Sequence, residues 1–294
     1  YGRMNQRIRT ALSDSSTKRG YMINSHSCRT KPLAIIIMDG FGISPIEKGN
    51  AISKAHKPNL ERLWMSYPTT TLAASGLAVG LPLGQMGNSE AGHLNLGGGR
   101  IVYQDYIRIS QAVKNSTFEK NPVLLKAMEK ARTGKMHLIG LLSDGGVHSH
   151  ITHLYALLET AKKHGLEKVY VHAILDGRDV PPHSALTYVR ELEEKLKQIG
   201  TGKIATVSGR YYTMDKGKHW DRVEKAYQCL TYGVGYRAET TEKAVEKGYD
   251  RGENDEFIQP TIVDSNGLVQ DGDSIIFFNF RHDGAREITR ALID

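Results

Sequence analysis

Apolar and polar positions fall into two patterns along this chain. Short continuous apolar runs end in turn residues, and longer stretches between them place apolar residues at helical spacing. Lys31–Asp39 (KPLAIIIMD) reads as a buried strand that stops at a carboxylate and the turn Asp39-Gly40-Phe41-Gly42. Pro58–Tyr67 carries Leu60, Leu63, Trp64 and Tyr67 at helical spacing, and Thr69–Ala73 is a short β-prone run. A glycine-flanked turn around Ser89 then leads into a helix, and Tyr103–Ala131 reads as helix broken near Asn115–Pro122. A second alternation follows. Strands are expected over Met136–Leu142, Lys168–Leu175, Lys203–Val207 and Ser274–Phe280. Helices are expected over Ile151–His164, Ser184–Ile199 and Trp220–Leu230. Strands alternating with helices predict an α/β fold with a mostly parallel sheet.

The strand ends carry more information than the strands. Each expected strand stops at ionisable residues: Asp39, Asp144 with His148, Arg178 with Asp179, Arg210, and Arg281. In an open parallel sheet the ligand crevice lies outside the carboxyl ends of the strands. Arginines from three such ends suit an anionic ligand, because a guanidinium fork binds phosphate or carboxylate through two parallel hydrogen bonds.

Charge sharpens this picture. The formal net charge is +7, but residues 1–32 hold seven Lys/Arg against one acid, leaving +1 for the rest. The body is nearly neutral, so an arginine pocket in it is a local feature, and no nucleic-acid partner is expected. Residues 1–31 are basic, rich in Ser and Thr, and lack an apolar stretch of signal-peptide type. A disordered tail is the preferred reading and a transit-like segment the alternative. The chain opens on Tyr1, with Met22 a candidate start. The longest apolar runs are too short to span a bilayer, so no membrane partner is expected. Cys28 and Cys229 give neither a disulfide framework nor a metal signature. A reducing, cytoplasmic setting and a monomer follow as expectations.

The candidate chemistry centres on few residues. Ser89 lies between Gly87 and Gly92, but Ala91 breaks the G-x-S-x-G elbow. An isolated match of this kind is a glycine-rich surface turn, unless the rest of the chain supplies a phosphate site. Asp39 before Gly40 either caps its turn or offers a hard oxygen to a divalent cation. His148 and His150 match no zinc spacing; such a histidine is a surface or capping residue of its turn or, with Asp144 and arginines nearby, a substrate-phosphate contact. Asp179 is either a surface partner of Arg178 or a group that orients substrate hydroxyls and moves a proton. Neither a dinucleotide fingerprint nor a P-loop is present, so no nucleotide cofactor is expected.

Six segments in order carry a family likeness: MDGFG (Met38–Gly42), MGNSEAGH (Met86–His93), SDGGVHSH (Ser143–His150), LDGRDVPP (Leu175–Pro182), SGRYYTMD (Ser208–Asp215) and FFNFR (Phe277–Arg281). From about Pro32 onward the chain resembles the cofactor-independent phosphoglycerate mutases of the alkaline phosphatase superfamily. The resemblance implies interconversion of 3- and 2-phosphoglycerate in glycolysis and gluconeogenesis, through a phosphoserine and without bisphosphoglycerate. It implies an alkaline-phosphatase-like α/β domain over 32–100, interrupted by an inserted α/β transferase domain over 101–294. It implies two divalent cations, manganese first, with magnesium and cobalt as alternatives. By the same likeness Ser89 accepts the phosphoryl group, and Asp39 and Ser89 ligate a metal. His148, Arg178, Asp179, Arg210, Lys216 and Arg281 would hold substrate, with Asp179 moving a proton.

Two positions depart from the pattern. Lys216 stands where the family has arginine, which keeps the charge but loses the fork. Gly284 stands where a second arginine follows Arg281, with Arg286 nearby as a substitute. The family's remaining metal ligands and a substrate lysine would lie beyond Asp294, so a truncated chain, inactive by itself, is expected. A non-catalytic substrate-binding relic of the family is the alternative, and a nucleic-acid binder using residues 1–32 ranks last.

Overall fold

The structure is a computed structural model that describes residues 33–293. The expected basic leader, 1–31, lies outside the described residues. The chain divides into two compact units, Tyr1–Tyr67 and Pro68–Asp294.

In the first unit, α1 (Ala51–Lys54) is capped by Asn50, and α2 (Pro58–Ser66) starts on a proline at its first turn. Proline fits there because its missing N–H would have had no helical partner. The tilted rings of Phe41 and Trp64 lie 6.4 Å apart. The strand expected over Lys31–Asp39 is not observed among the described residues. Residues 33–38 form no regular element, with Leu33 88% and Ile36 86% exposed. A strand is defined by its ladder, and no described neighbour supplies one here. Thr69–Ala73, in the second unit, likewise forms no strand.

The second unit begins with a short 3-10 turn and α3 (Ser89–Gly98), followed by α4 (Asp105–Lys114) and α5 (Pro122–Ala131). The break expected near Asn115–Pro122 is present, and Asn121 caps α5. Then come β1 (Met136–Leu141), α6 (Ile151–Lys163), β2 (Val169–Leu175), α7 (Ala185–Ile199) and β3 (Lys203–Gly209). One turn of helix, α8 (Arg210–Thr213), precedes α9 (Trp220–Thr231), β4 (Tyr236–Arg237) and α10 (Thr241–Asp250). The last elements are β5 (Thr261–Ile262), β6 (Ser274–Phe277) and α11 (Arg286–Ile293).

These strands form one sheet in the order β4-β5-β3-β2-β1-β6. Pairing is parallel throughout except between β3 and β5. Alternate residues of each strand feed opposite faces. Met136, Leu138, Val171 and Ala173 pack with α5, α6 and α7 in the larger core. Ile139, Leu141 and Ile174 pack with Val223 and Ala226 of α9 and Ile288 of α11 in the smaller one. Both faces are covered, as parallel sheets require.

A polar line crosses the β1–β2–β3 strands. Asp273 Oδ2 lies 3.0 Å from His137 Nε2, His137 Nδ1 lies 2.9 Å from His172 Nε2, and His172 Nδ1 lies 2.9 Å from Thr206 Oγ1. A carboxylate only accepts, so each neutral imidazole donates toward Asp273 and Thr206 starts the chain as donor. These histidines fill a structural role, linking three strands and the Asp273 turn. Among the described residues, no helix is long and apolar enough to cross a membrane.

Candidate active site

The carboxyl ends of β1, β2, β3 and β6 meet around a cavity of about 340 Å³. His148, Arg178, Asp179, Arg210, Lys216 and Arg281 all line it. The six residues expected to hold substrate are thus brought together, from loops up to 133 positions apart in the chain (His148 to Arg281).

Local bonding explains how each arrives. After β1, Ser149 Oγ donates to the Leu141 carbonyl at 2.5 Å, and the Ile151 N–H returns to the Ser143 carbonyl at 2.9 Å. This folds the loop back and buries His148 at its crest. The Phe280 and Arg281 N–H groups donate to the His148 carbonyl at 2.9 and 3.3 Å, which ties the β6 exit to the β1 exit. Asn279 Oδ1 accepts the last β1 N–H, of Leu141, at 2.9 Å.

Asp176 organises the centre. It ends β2, its side chain is 1% exposed, and its carboxylate accepts four hydrogen bonds. Ser143 Oγ donates at 2.7 Å from the β1 side, and Arg210 Nη1 at 2.6 Å from the β3 side. The backbone N–H groups of Arg178 and Asp179 donate at 3.2 and 3.0 Å, which shapes the loop that presents both residues. Arg210 Nη1 also reaches Asp179 Oδ2 at 2.7 Å. Burial works against the Arg210 charge, but Asp179 and Asp176 override it and hold the guanidinium above its ordinary range. A buried arginine clamped by two carboxylates is a rigid anion contact.

His148 completes the inner wall. Burial first, and Arg210 second, lower its pKa, so the ring is neutral at pH 7. Its Nε2 lies 3.8 Å from Asp179 Oδ2, and its Nδ1 has no hydrogen-bond partner among the described residues. Outward from it, Arg178 lies 3.6 Å from Glu256 and Arg281 lies 3.0 Å from Asp283. Lys216 lies 3.4 Å from the same Asp283 carboxylate and is exposed. Arg222, which stacks on Tyr211 at 4.0 Å, pairs with Asp215 at 3.3 Å. Gly284 is buried against Met214, so the arginine missing there would displace packed atoms from its Cβ onward. Arg286 is exposed and does not line the cavity.

Sequence reasoning passed over the acids Asp176, Asp215, Glu256 and Asp283. Asp176, Asp215 and Asp283 stand inside or beside the quoted motifs, but only Asp283 is close in sequence to the arginine it holds, Arg281. For Asp283 that proximity was the available signal.

Ser89 opens α3 behind the N-cap Asn88, whose Oδ1 accepts from Ala91 N–H at 2.8 Å. His93 Nδ1 lies 2.8 Å from the Ser89 carbonyl and 3.2 Å from its Oγ. The carbonyl can only accept, so Nδ1 carries the proton. Ser89 is not among the residues lining the cavity. Asp39 belongs to the first unit and Ser89 to the second. Each by itself offers fewer oxygens than a divalent cation takes. Among the described residues, no group of three or more His, Cys, Asp and Glu side chains could hold a metal ion. The described residues therefore do not by themselves fit the two cations that the resemblance implies.

Comparison with known proteins agrees with the geometry. The family model described as "BPG-independent PGAM N-terminus" matches residues 109–294. The 2,3-bisphosphoglycerate-independent phosphoglycerate mutase of Clostridium perfringens is 56% identical over 270 residues, covering 90% of this chain and 53% of its own length. That of Symbiobacterium thermophilum is 54% identical over 269 residues, covering 90% and 52%. A crystal structure of Leishmania mexicana phosphoglycerate mutase, at low cobalt concentration, superposes with a TM-score of 0.68 at 34% identity. That match covers 88% of this chain and 50% of the other. The chain spans about half the length of the curated relatives it matches.

Proposed function

Since the chain belongs to the BPG-independent phosphoglycerate mutase family and matches its N-terminal portion, we propose that it serves the interconversion of 3- and 2-phosphoglycerate. The observation that carries the reading is the convergence of Arg178, Arg210, Arg281, Lys216 and His148 on one cavity at the strand ends. In this reading 101–294 is the substrate-holding transferase domain, and 32–100 is the first part of a phosphatase-like domain.

The chain's own groups divide the work. The arginines and Lys216 bind the phosphate and the carboxylate of phosphoglycerate, neutralising charge and fixing its orientation. His148, neutral and with an unpartnered Nδ1, gives or takes a hydrogen bond at a ligand oxygen. Ser89 Oγ attacks phosphorus. The P–Oγ bond forms as the bond from phosphorus to the glycerate oxygen breaks, and the proton lost by the Ser89 hydroxyl makes up the one that oxygen takes. Asp179 delivers a proton to the freed glycerate oxygen and, in the return transfer, removes one from the other hydroxyl, which balances the one Ser89 Oγ regains as the P–Oγ bond breaks. A phosphoryl group on Ser89 would sit at the N-terminus of α3, where the helix dipole favours an anion. Asp39 and Ser89 are proposed ligands for divalent cations, manganese first, which when bound would offset charge on the phosphoryl group.

The test is calorimetric titration of the full chain with 3-phosphoglycerate, followed by mass spectrometry after incubation with manganese. Binding is expected, and Arg210→Ala should weaken it about a hundredfold. Phosphoserine at Ser89 would show that the chain carries out the transfer by itself; binding without phosphoserine is the result expected of a chain inactive by itself, and manganese uptake lost in Asp39→Asn separates that chain from a substrate-binding relic, which should take up little manganese. An absence of binding would remove the reading altogether.

A further inference from the structure

Arg281, Lys216 and His148, three of the groups proposed to hold phosphoglycerate, all face one carboxylate of the protein itself. Asp283 Oδ2 lies 3.0 Å from Arg281 Nη2 and 3.4 Å from Lys216 Nζ. Its Oδ1 accepts the Gly284 N–H at 2.9 Å and lies 3.6 Å from His148 Nδ1. Burial works against the Asp283 charge, but the Gly284 N–H, Arg281 and Lys216 together keep the carboxyl below its usual range. Asp283 is therefore an anion at neutral pH, seated among the groups an incoming anion would need.

The other acids at the site are placed differently. Asp179, 15% exposed, lines the cavity, holds the buried Arg210 at 2.7 Å and lies 3.8 Å from His148. Asp176, 1% exposed, is locked by Ser143 and Arg210 beneath the site. Asp215, 5% exposed, is tied down by the Gly217 and His219 N–H groups. Glu256 meets Arg178 alone among the cavity's cations, at 3.6 Å, and leaves that guanidinium 67% exposed. Asp283 gathers three ligand-facing groups, is 28% exposed, and sits on a single 3-10 turn, Asp283–Ala285.

We propose that Asp283 is a specificity-determining residue, a resident anion that holds Arg281 and Lys216 until a stronger ligand takes them. A lone phosphate must strip Asp283 from both cations, so it exchanges one ion pair for another and gains little. A ligand with a second anionic head also engages Arg178, and the linked second contact makes the exchange favourable. The built-in competitor raises the threshold for every anion, and the second contact lets a two-headed ligand clear it. The selected class is a small skeleton bearing both phosphate and carboxylate. This rests on the reading that the cavity holds phosphoglycerate.

The test is titration calorimetry of the full chain and its Asp283→Asn variant, each with inorganic phosphate and with 3-phosphoglycerate at fixed ionic strength. Removing the competing charge should tighten phosphate binding about tenfold. Binding of 3-phosphoglycerate should tighten by a similar factor, because it displaces the same carboxylate. Unchanged or weaker phosphate binding in D283N would overturn the proposal and make Asp283 a support for the cations. Phosphate binding to neither protein would overturn it as well. A wild-type chain that ignores 3-phosphoglycerate while D283N takes up phosphate would count against the mutase reading alone. Should circular dichroism show D283N unfolded, Asp283→Ser replaces it, and collapse of both variants would make the residue structural and end the proposal.

Discussion

Asp176 shows how much one buried side chain can decide. Its carboxylate joins the β1, β2 and β3 exits, so its removal loosens Arg210 and the Arg178–Asp179 loop at once. Breaking one partner of a buried, hydrogen-bonded ion pair costs about 3 kcal/mol or more. Asp176→Asn should lower stability to urea by that order and weaken 3-phosphoglycerate binding about tenfold, both measurable on one preparation. Equal stability and affinity in the variant would mean that Asp179 alone can hold Arg210. The arginines of the site were legible in the sequence, because a guanidinium at a strand end has few structural reasons to be there. The acids that aim them were not. An aspartate beside glycine reads as a turn former, and nothing in one dimension shows Asp176 reaching Arg210, 34 positions away.

Among the elements, β1, β2, β3 and β6 could be read because continuous apolar runs bounded by turns have few other solutions. Helices α6, α7 and α9 could be read because each buries one stripe. The two-residue strands β4 and β5 are too short to leave a pattern. Helix α10 buries Thr241, Ala244, Val245 and Gly248, side chains too small to contrast with its polar face. The runs 33–38 and 69–73 had strand composition without a described partner strand. Joints between elements depend on backbone shape, and Gly177 is the clearest case. Its φ is +65°, and a Cβ there would lie 2.8 Å from both Asp255 Cβ and Glu256 N. That close approach lets the turn bearing Glu256 sit beside Arg178. Gly177→Ala should therefore cost about 2 kcal/mol or more, through left-handed strain and the clash together. Urea denaturation checks this, and a loss below about 0.5 kcal/mol would contradict the packing described.

At the scale of the whole molecule, buried imidazoles set the response to acid. Burial is the leading cause that lowers the pKa of His137, His148, His153 and His172, with His153 held at about 4. The ordinary imidazole value is 6.5, so below it the unfolded chain binds protons that the folded chain refuses. Stability is thus full above about pH 6.5 and falls as the pH drops toward 4, by up to about 1.4 kcal/mol per pH unit for each such histidine. Urea midpoints at pH 7.5 and 5.0 should show the drop, and His172→Gln, which cannot take up the proton, should flatten it. An unchanged midpoint would mean that the imidazoles find room for the charge in the folded chain. One further feature bears on handling. The stretch Leu33–Met38 is uncharged, rich in isoleucine, free of proline and largely exposed. Six residues of that kind are enough to seed a dry, interdigitated stack between copies. Concentrated preparations of this chain should therefore self-associate through that segment, and a single lysine in place of Ile36 would act as a gatekeeper against fibrils.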